Sequence, residues 1–291
     1  MAKPTNYGGQ AVIEGVMIRG RHTIALACRK PDGSIYRYRE PLVSPLLTSK
    51  VARAPFVRGV FVLWESLRYG LRMLMRSADV QLAAEQQELK GAGSSAVMAG
   101  ALIVALVLFI GIPYLATGLL RAAIPSTLWL NIAEGLLRLA LLLGYLVAIS
   151  FMPDIRRVFG YHGAEHMTIH AFEHGQPLDS AHVAPFPTAH PRCGTAFLLF
   201  VVVIAIAVFA FVPRVNLIVD LAVRLFLVIP VAAISYEILR LGAGHEDNPF
   251  MRLAIAPGLL LQAITTRRPD GPMIEVAIAS LEEALAGDSA V

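Results

Sequence analysis

A chain of 291 residues with 56% hydrophobic and 16% charged residues is too apolar for an ordinary soluble domain, where these shares sit near about 45–50% and about 25%. The net charge is only +4, and its basic residues flank apolar stretches instead of forming one polar patch. That pattern selects membrane lipid headgroups as partners and excludes nucleic acid.

The polar start, MAKPTNYGGQ, does not fit a secretory signal peptide. Residues 1–48 read as a small cytosolic β-rich segment. Gln10 to Gly20 is apolar and punctuated by glycines, as in a strand pair or a bulged strand. His22 to Cys28 and Ser34 to Glu40 form two more strand-like runs. Lys30-Pro31-Asp32-Gly33 joins them as a turn, because proline presets φ and glycine tolerates positive φ.

Residues 49–95 read as an amphipathic helix and a linker. Val51, Phe56, Val60, Trp64, Leu67, Leu71 and Leu74 recur every three to five residues, with arginines between them. Such a helix lies in a membrane interface or packs on the cytosolic segment. Residues 81–95 are polar and end in a Gly/Ser linker.

Residues 96–240 predict four membrane spans: Ala96–Leu120, which Pro113 could kink, Ile132–Met152, Ala196–Val212 and Leu217–Leu239. Glu134 and Arg138 stand four apart, as do Asp220 and Arg224. That spacing lets each pair neutralise itself, although charges near span ends also serve as boundary anchors. Residues 1–95 carry fourteen Lys and Arg, the 121–130 loop only Arg121. The alternation of basic-rich and basic-poor loops puts both termini, and the metal-site loop 153–195, on the cytosolic side. The fold class is therefore a multi-pass α-helical integral membrane protein, with about four transmembrane helices, a small cytosolic β-containing N-terminal segment and amphipathic interfacial helices. Cys28 and Cys193 both fall on the cytosolic side, so no structural disulfide is expected.

Residues 241–291 read as an interfacial and cytosolic C-terminal segment. The apolar run from Leu253 to Gln262 is too short to cross a bilayer. Pro272 to Leu285 reads as a strand-like start passing into an amphipathic helix that caps the cytosolic segment.

The chemistry concentrates in Tyr161–Gly175, YHGAEHMTIHAFEHG, where His162, His166, His170 and His174 recur every fourth residue. A four-residue step keeps them on one helical face. His162 to His166 also spells H-x-x-E-H, a zinc-helix pattern of two imidazoles one turn apart with a carboxylate between. Catalytic zinc takes three protein ligands and an open position. His162 and His166 supply two, and His190 in AHPRCGT is the expected third. Cys193 of the same loop is a thiolate ligand or a nucleophile. Glu165 is the expected general base. Glu237 and Glu246 are weaker carboxylate candidates, and Ser235-Tyr236-Glu237 could support a ligand from behind. His174 suits a helix end before Gly175, His170 is balanced between ligand support and plain surface, and His22, His182 and His245 read as ordinary polar residues. Glu14 and Arg19 could reach the site, whereas Gly8, Gly9, Gly15 and Gly20 read as turn and close-packing positions.

The stretches Tyr7–Gly20, Tyr161–Gly175, His190–Leu199, Ile234–Leu241 and Pro257–Asp270 together resemble the YqhQ-like bacterial membrane family. The resemblance implies a membrane protein and a metal-dependent enzyme without a named substrate. It points to Glu14, His162, Glu165, His166, His190, Cys193 and Glu237. A lysine often follows the second histidine in that pattern, where this chain has Met167.

Two functions compete at this stage. One is a membrane-embedded hydrolase using a divalent metal, Zn2+ by ligand type, with a metal-polarised water activated by Glu165 against a lipid or membrane peptide. The other is a non-enzymatic scaffold or assembly factor with a structural metal or none. A transporter fits less well, since four spans leave little room for inverted repeats. Association into a homo-oligomer stays open.

Overall fold

The computed structural model of the protein describes residues 7–83, 91–243 and 248–290. Residues 84–90 of the expected linker, and His245 and Glu246, lie outside those residues. Four strands, β1 Gly8–Val12, β2 Gly15–Arg19, β3 Thr23–Arg29 and β4 Ile35–Pro41, form one antiparallel sheet in chain order. Gly15 pairs with Cys28, and Ile18 with Ala25. Glu14 closes the first hairpin at φ 51° and Gly33 the third at φ 84°. The expected Pro-Asp-Gly turn is thus present.

The helices follow: α1 Pro45–Thr48, α2 Val57–Ala83, α3 Gly91–Leu106, α4 Ile112–Gly118, α5 Thr127–Ile149, α6 Pro153–Glu173, α7 Ser180–Val183, α8 Gly194–Ala210, α9 Leu217–Ala243, α10 Pro249–Thr265 and α11 Gly271–Ser289. A π-helical stretch, Val107–Gly111, joins α3 to α4 immediately before Pro113. A proline lacks the N–H of the regular ladder, and the wider turn accommodates that loss.

The sheet is covered on both faces, which explains its nearly continuous apolar strands. Val16, Ile18, Ala25 and Ala27 point toward α6 and α11. Val12, Met17, Ile24 and Leu26 point the other way, onto Tyr69 and Met73 of α2. The period-2 alternation of a strand divides the residues between the two cores. α2 therefore packs as a core helix on one side, while Trp64 and Leu67 remain 62% and 54% exposed on the other.

Two expectations change here. The expected Gly/Ser linker at 91–95 is the first turn of α3. The expected strand at Pro272 is helical from Gly271 onward. Asp270 caps α11 by accepting the Met273 N–H at 2.9 Å, and Pro272 occupies the first turn, where a missing N–H costs nothing. The β-branched residues are tolerated because Met273, Ile274 and Val276 to Leu281 are buried between sheet and α6, with only Glu275 facing out.

Three helices are long and apolar enough to cross a membrane: Ala99–Gly118, Thr127–Ile149 and Leu217–Leu241. The predicted third span corresponds to the shorter apolar helix Gly194–Ala210. α5, α8, α9 and α10 pack together through Leu142, Leu146, Val202 and Leu261 and through Ala205, Phe209 and Val231. Near one end lies a buried charge cluster. Glu134 accepts from Arg138 at 2.7 Å, Arg214 at 2.6 Å and Arg224 at 2.9 Å. Arg224 thus turns its ion pair to Glu134, not to its i−4 neighbour; Asp220 instead accepts from the Tyr114 hydroxyl and the Val215 N–H. All four charged side chains are at most 7% exposed, so they act as an internal network and not as boundary anchors.

Candidate metal centre

α6 starts cleanly, with Pro153 in its first turn after an extended Met152, and ends at His174 and Gly175, the latter at φ 67°. Its composition is polar, yet Glu165 and His166 are only 5% and 3% exposed. Buried polar residues are the informative exception in a fold. The helix lies where the sheet, α11, the 184–193 segment and the end of α10 meet. A Cβ at Gly163 would stand 2.1 Å from the Arg267 carbonyl oxygen. Only glycine therefore allows α6 to approach that segment so closely.

Both histidines of the H-x-x-E-H motif are pinned from behind. His162 Nδ1 donates to the Thr265 carbonyl at 2.8 Å, and His166 Nδ1 donates to the Thr188 carbonyl at 2.6 Å. A proton on Nδ1 leaves the lone pair on Nε2. His162 Nε2 lies 3.2 Å from Cys193 Sγ, and His166 also hydrogen-bonds Cys193. One donor atom from each of His162, His166 and Cys193 lies within 4.8 Å of the others. Cys193 caps α8, its sulfur accepting the Thr195 N–H at 3.4 Å. Carbonyls behind the imidazoles and the Thr195 N–H behind the sulfur are the kind of supporting shell that could orient ligands toward a metal. Nitrogen and sulfur donors in this number suit zinc.

His190, the expected third ligand, belongs to a neighbouring group with His170 and Glu173. Its Nδ1 accepts the Arg192 N–H at 3.3 Å, and its Nε2 faces Glu173 Oε2 at 3.4 Å. Gln262 clamps its backbone, accepting from its N–H at 2.8 Å and donating to its carbonyl at 2.9 Å. Arg192 pairs with Glu173, and His170 Nε2 donates to the Ala189 carbonyl at 2.9 Å. These contacts make His190 a brace for the loop that delivers Cys193. They also occupy the second group internally.

Glu165 is fully enclosed. Its Oε1 accepts the Gly9 N–H at 2.9 Å, and its Oε2 has no hydrogen-bond partner. Burial raises its pKa, opposed by the nearby His162, the Gly9 N–H and His190. It lines a cavity of about 50 Å³ together with Tyr7, His166 and Cys193. Burial also lowers the pKa of His166, which keeps the imidazole neutral, as a ligand must be.

Residues 54–287 match the family described as "Protein of unknown function (DUF1385)". The chain belongs to the DUF1385 family. It is also 35% identical to "Uncharacterized protein YqhQ" of Bacillus subtilis (strain 168), an alignment covering 97% of this chain and 93% of that protein. No solved structure matches. The YqhQ-like resemblance read from the motifs is thereby established for nearly the whole length of this family member.

Other residues singled out by sequence lie elsewhere in the DUF1385 chain. Glu237 is held by Arg58 and by the Phe56 N–H at 3.0 Å. Glu14 pairs with Arg157 and accepts from the Tyr161 hydroxyl at 3.2 Å, fastening the first hairpin to α6. Arg19 pairs with Glu65. His182 binds Asp179, and His174 Nδ1 donates to the His170 carbonyl. Sequence reading missed the Thr188 and Thr265 carbonyls, since backbone oxygens carry no residue signature. It also missed the role of Gly9, for which the Gly8-Gly9 pair was a weak signal of close backbone approach.

Proposed function

We propose that this protein is a membrane-embedded, metal-dependent hydrolase acting at the cytosolic face on a lipid or membrane peptide. In this reading α8 completes a set of four spans with both termini in the cytosol. The single observation behind it is the joint geometry of the site. Three donors converge with their lone pairs set by hydrogen bonds from behind, and an unpartnered carboxylate oxygen lies in the adjoining cavity.

His162, His166 and Cys193 would hold the metal, while His190 and Gln262 fix the Cys193 loop. When bound, the metal supplies Lewis acidity toward a carbonyl or phosphoryl oxygen and toward water. Glu165 Oε2 takes one proton from the attacking water, whose oxygen bonds to the carbonyl carbon or phosphorus. The same carboxyl then returns that proton to the departing oxygen or nitrogen as its bond breaks. A carboxylate with a raised pKa suits both halves of the transfer. The Gly9 N–H holds the carboxylate plane throughout.

A scaffold with a structural metal is the competing reading. Structural zinc sites are closed by four protein ligands, whereas the group here has three among the described residues. That count favours an open catalytic position. Elemental analysis of protein purified in mild detergent, paired with complementation of a deletion strain by Glu165→Gln, tests the proposal. The expected result is stoichiometric zinc in both proteins and complementation by the native chain only. Absence of metal, or full complementation by Glu165→Gln, overturns it.

A further inference from the structure

Three cavities adjoin one another in series and end at the metal centre. The outermost, about 790 Å³, is lined by Arg19, Arg21, His22, Arg53, Arg58 and Arg240, and no acidic side chain lines it. Glu65 pairs with Arg19, and Glu237 pairs with Arg58. Among the described residues no carboxylate pairs with Arg21, Arg53 or Arg240. Within that set, guanidinium groups outnumber paired carboxylates in the chamber, with Asp288 behind its wall on the Arg21 and His22 N–H groups.

The middle chamber, about 460 Å³, shares Arg19, Val62 and Tyr236 with the first. Its walls are largely apolar and include Met17, Ile24, Leu63, Phe197 and Leu239. In turn it shares Tyr7, Gly8, Gly9, Arg192 and Gly194 with the small cavity that holds Glu165 and Cys193. A ligand seated across the series meets guanidinium groups first, then hydrocarbon, then the metal-ligating residues. Tyr236, Leu239 and Arg240 belong to the last turns of the apolar helix Leu217–Leu241, where a membrane surface would lie. α2 contributes Val62 and Leu63 and carries the exposed Trp64 beside them.

We propose that the ligand of these chambers is a phosphate-bearing lipid. Its phosphate sits among Arg21, Arg53 and Arg240, and its apolar part fills the middle chamber. Guanidinium forks match phosphate oxygens in charge and geometry. A free phosphate or sugar phosphate would leave the middle chamber without a partner. Lipid binding of this kind stands apart from the hydrolase reading above.

The test uses the full chain in mild detergent. Binding is measured to fluorescent phosphatidic acid in mixed micelles, with phosphatidylcholine as the zwitterionic comparison and inorganic phosphate as competitor. The expected result is tighter binding of phosphatidic acid, weak competition by inorganic phosphate, and loss of about tenfold in affinity for each guanidinium removed in Arg21→Gln and Arg53→Gln. Arg53→Lys, which keeps the charge, should retain more affinity than Arg53→Gln and serves if the glutamine variants melt early. His166→Ala should lose metal and keep lipid binding, whereas absent metal in the native chain with intact lipid affinity would overturn the hydrolase reading alone. Equal affinity for both lipids, an unchanged affinity in the arginine variants, or displacement by equimolar inorganic phosphate overturns the proposal.

Discussion

Gly9 donates its backbone N–H to Oε1 of Glu165, joining an edge strand to the centre of α6 across 156 sequence positions. A Cβ at Gly9 would stand 2.2 Å from the Met17 carbonyl and 3.2 Å from Glu165 Cδ. Backbone atoms cannot yield as a flexible side chain can. Gly9→Ala is therefore expected to displace β1 and cost about 1–3 kcal/mol. Thermal unfolding in detergent checks this, and an unchanged midpoint would show that the strand is not clamped there.

Cys193 and His190 are three residues apart but face different neighbours. On the proposed metal reading, Cys193→Ser is expected to weaken zinc binding most, because it deletes a donor atom from the convergent group. His190→Ala, which removes only a brace, should retain zinc at reduced affinity, by about 10–100-fold. Zinc titration of both variants against a chelator distinguishes them. The reverse order of affinities would reassign the third ligand to His190.

Glu134 pairs with three arginines inside the helix bundle. Removing it leaves those charges buried with too little compensation, at a cost of about 3–5 kcal/mol. Glu134→Ala should unfold well below the native chain, and Glu134→Gln should recover part of the loss through its remaining acceptor. A melting point for Glu134→Ala within error of the native value would sink the network as a source of stability.

His170 gives the fold an acid-sensitive slope. Burial pushes its pKa down to about 4, the Ala189 carbonyl opposes that shift, and His190, His166 and His174 reinforce it. The folded chain holds this imidazole neutral to about pH 4, while the unfolded chain protonates it near about 6.5. Between those values the unfolded state binds more protons, so stability falls as pH falls through the window. His170→Gln should make that slope shallower in denaturant titrations at pH 7, 6 and 5. Parallel curves for the two proteins would contradict the assignment.

Residue order alone carried the local features. Periodicity of 3.6 and 2.0, turn chemistry and long uncharged runs act over a few residues, so the sheet, the apolar helices and the histidine face of α6 could be read directly. The Asp220–Arg224 spacing misled because Glu134, on another helix, outcompetes a neighbour one turn away. The β-branched start of α11 misled because burial of Ile274, Val276 and Ile278 overrides a weak local preference.

Sequence by itself determined that an apolar chain carries two imidazoles one helical turn apart with a carboxylate between them, because side-chain identity and helix pitch suffice for that. Only the tertiary structure decided that Cys193 joins them, that His190 braces the loop, and that Gly9 and two carbonyl oxygens hold the ensemble. Those choices depend on which distant backbone atoms come within hydrogen-bond reach, and no short-range pattern encodes that distance.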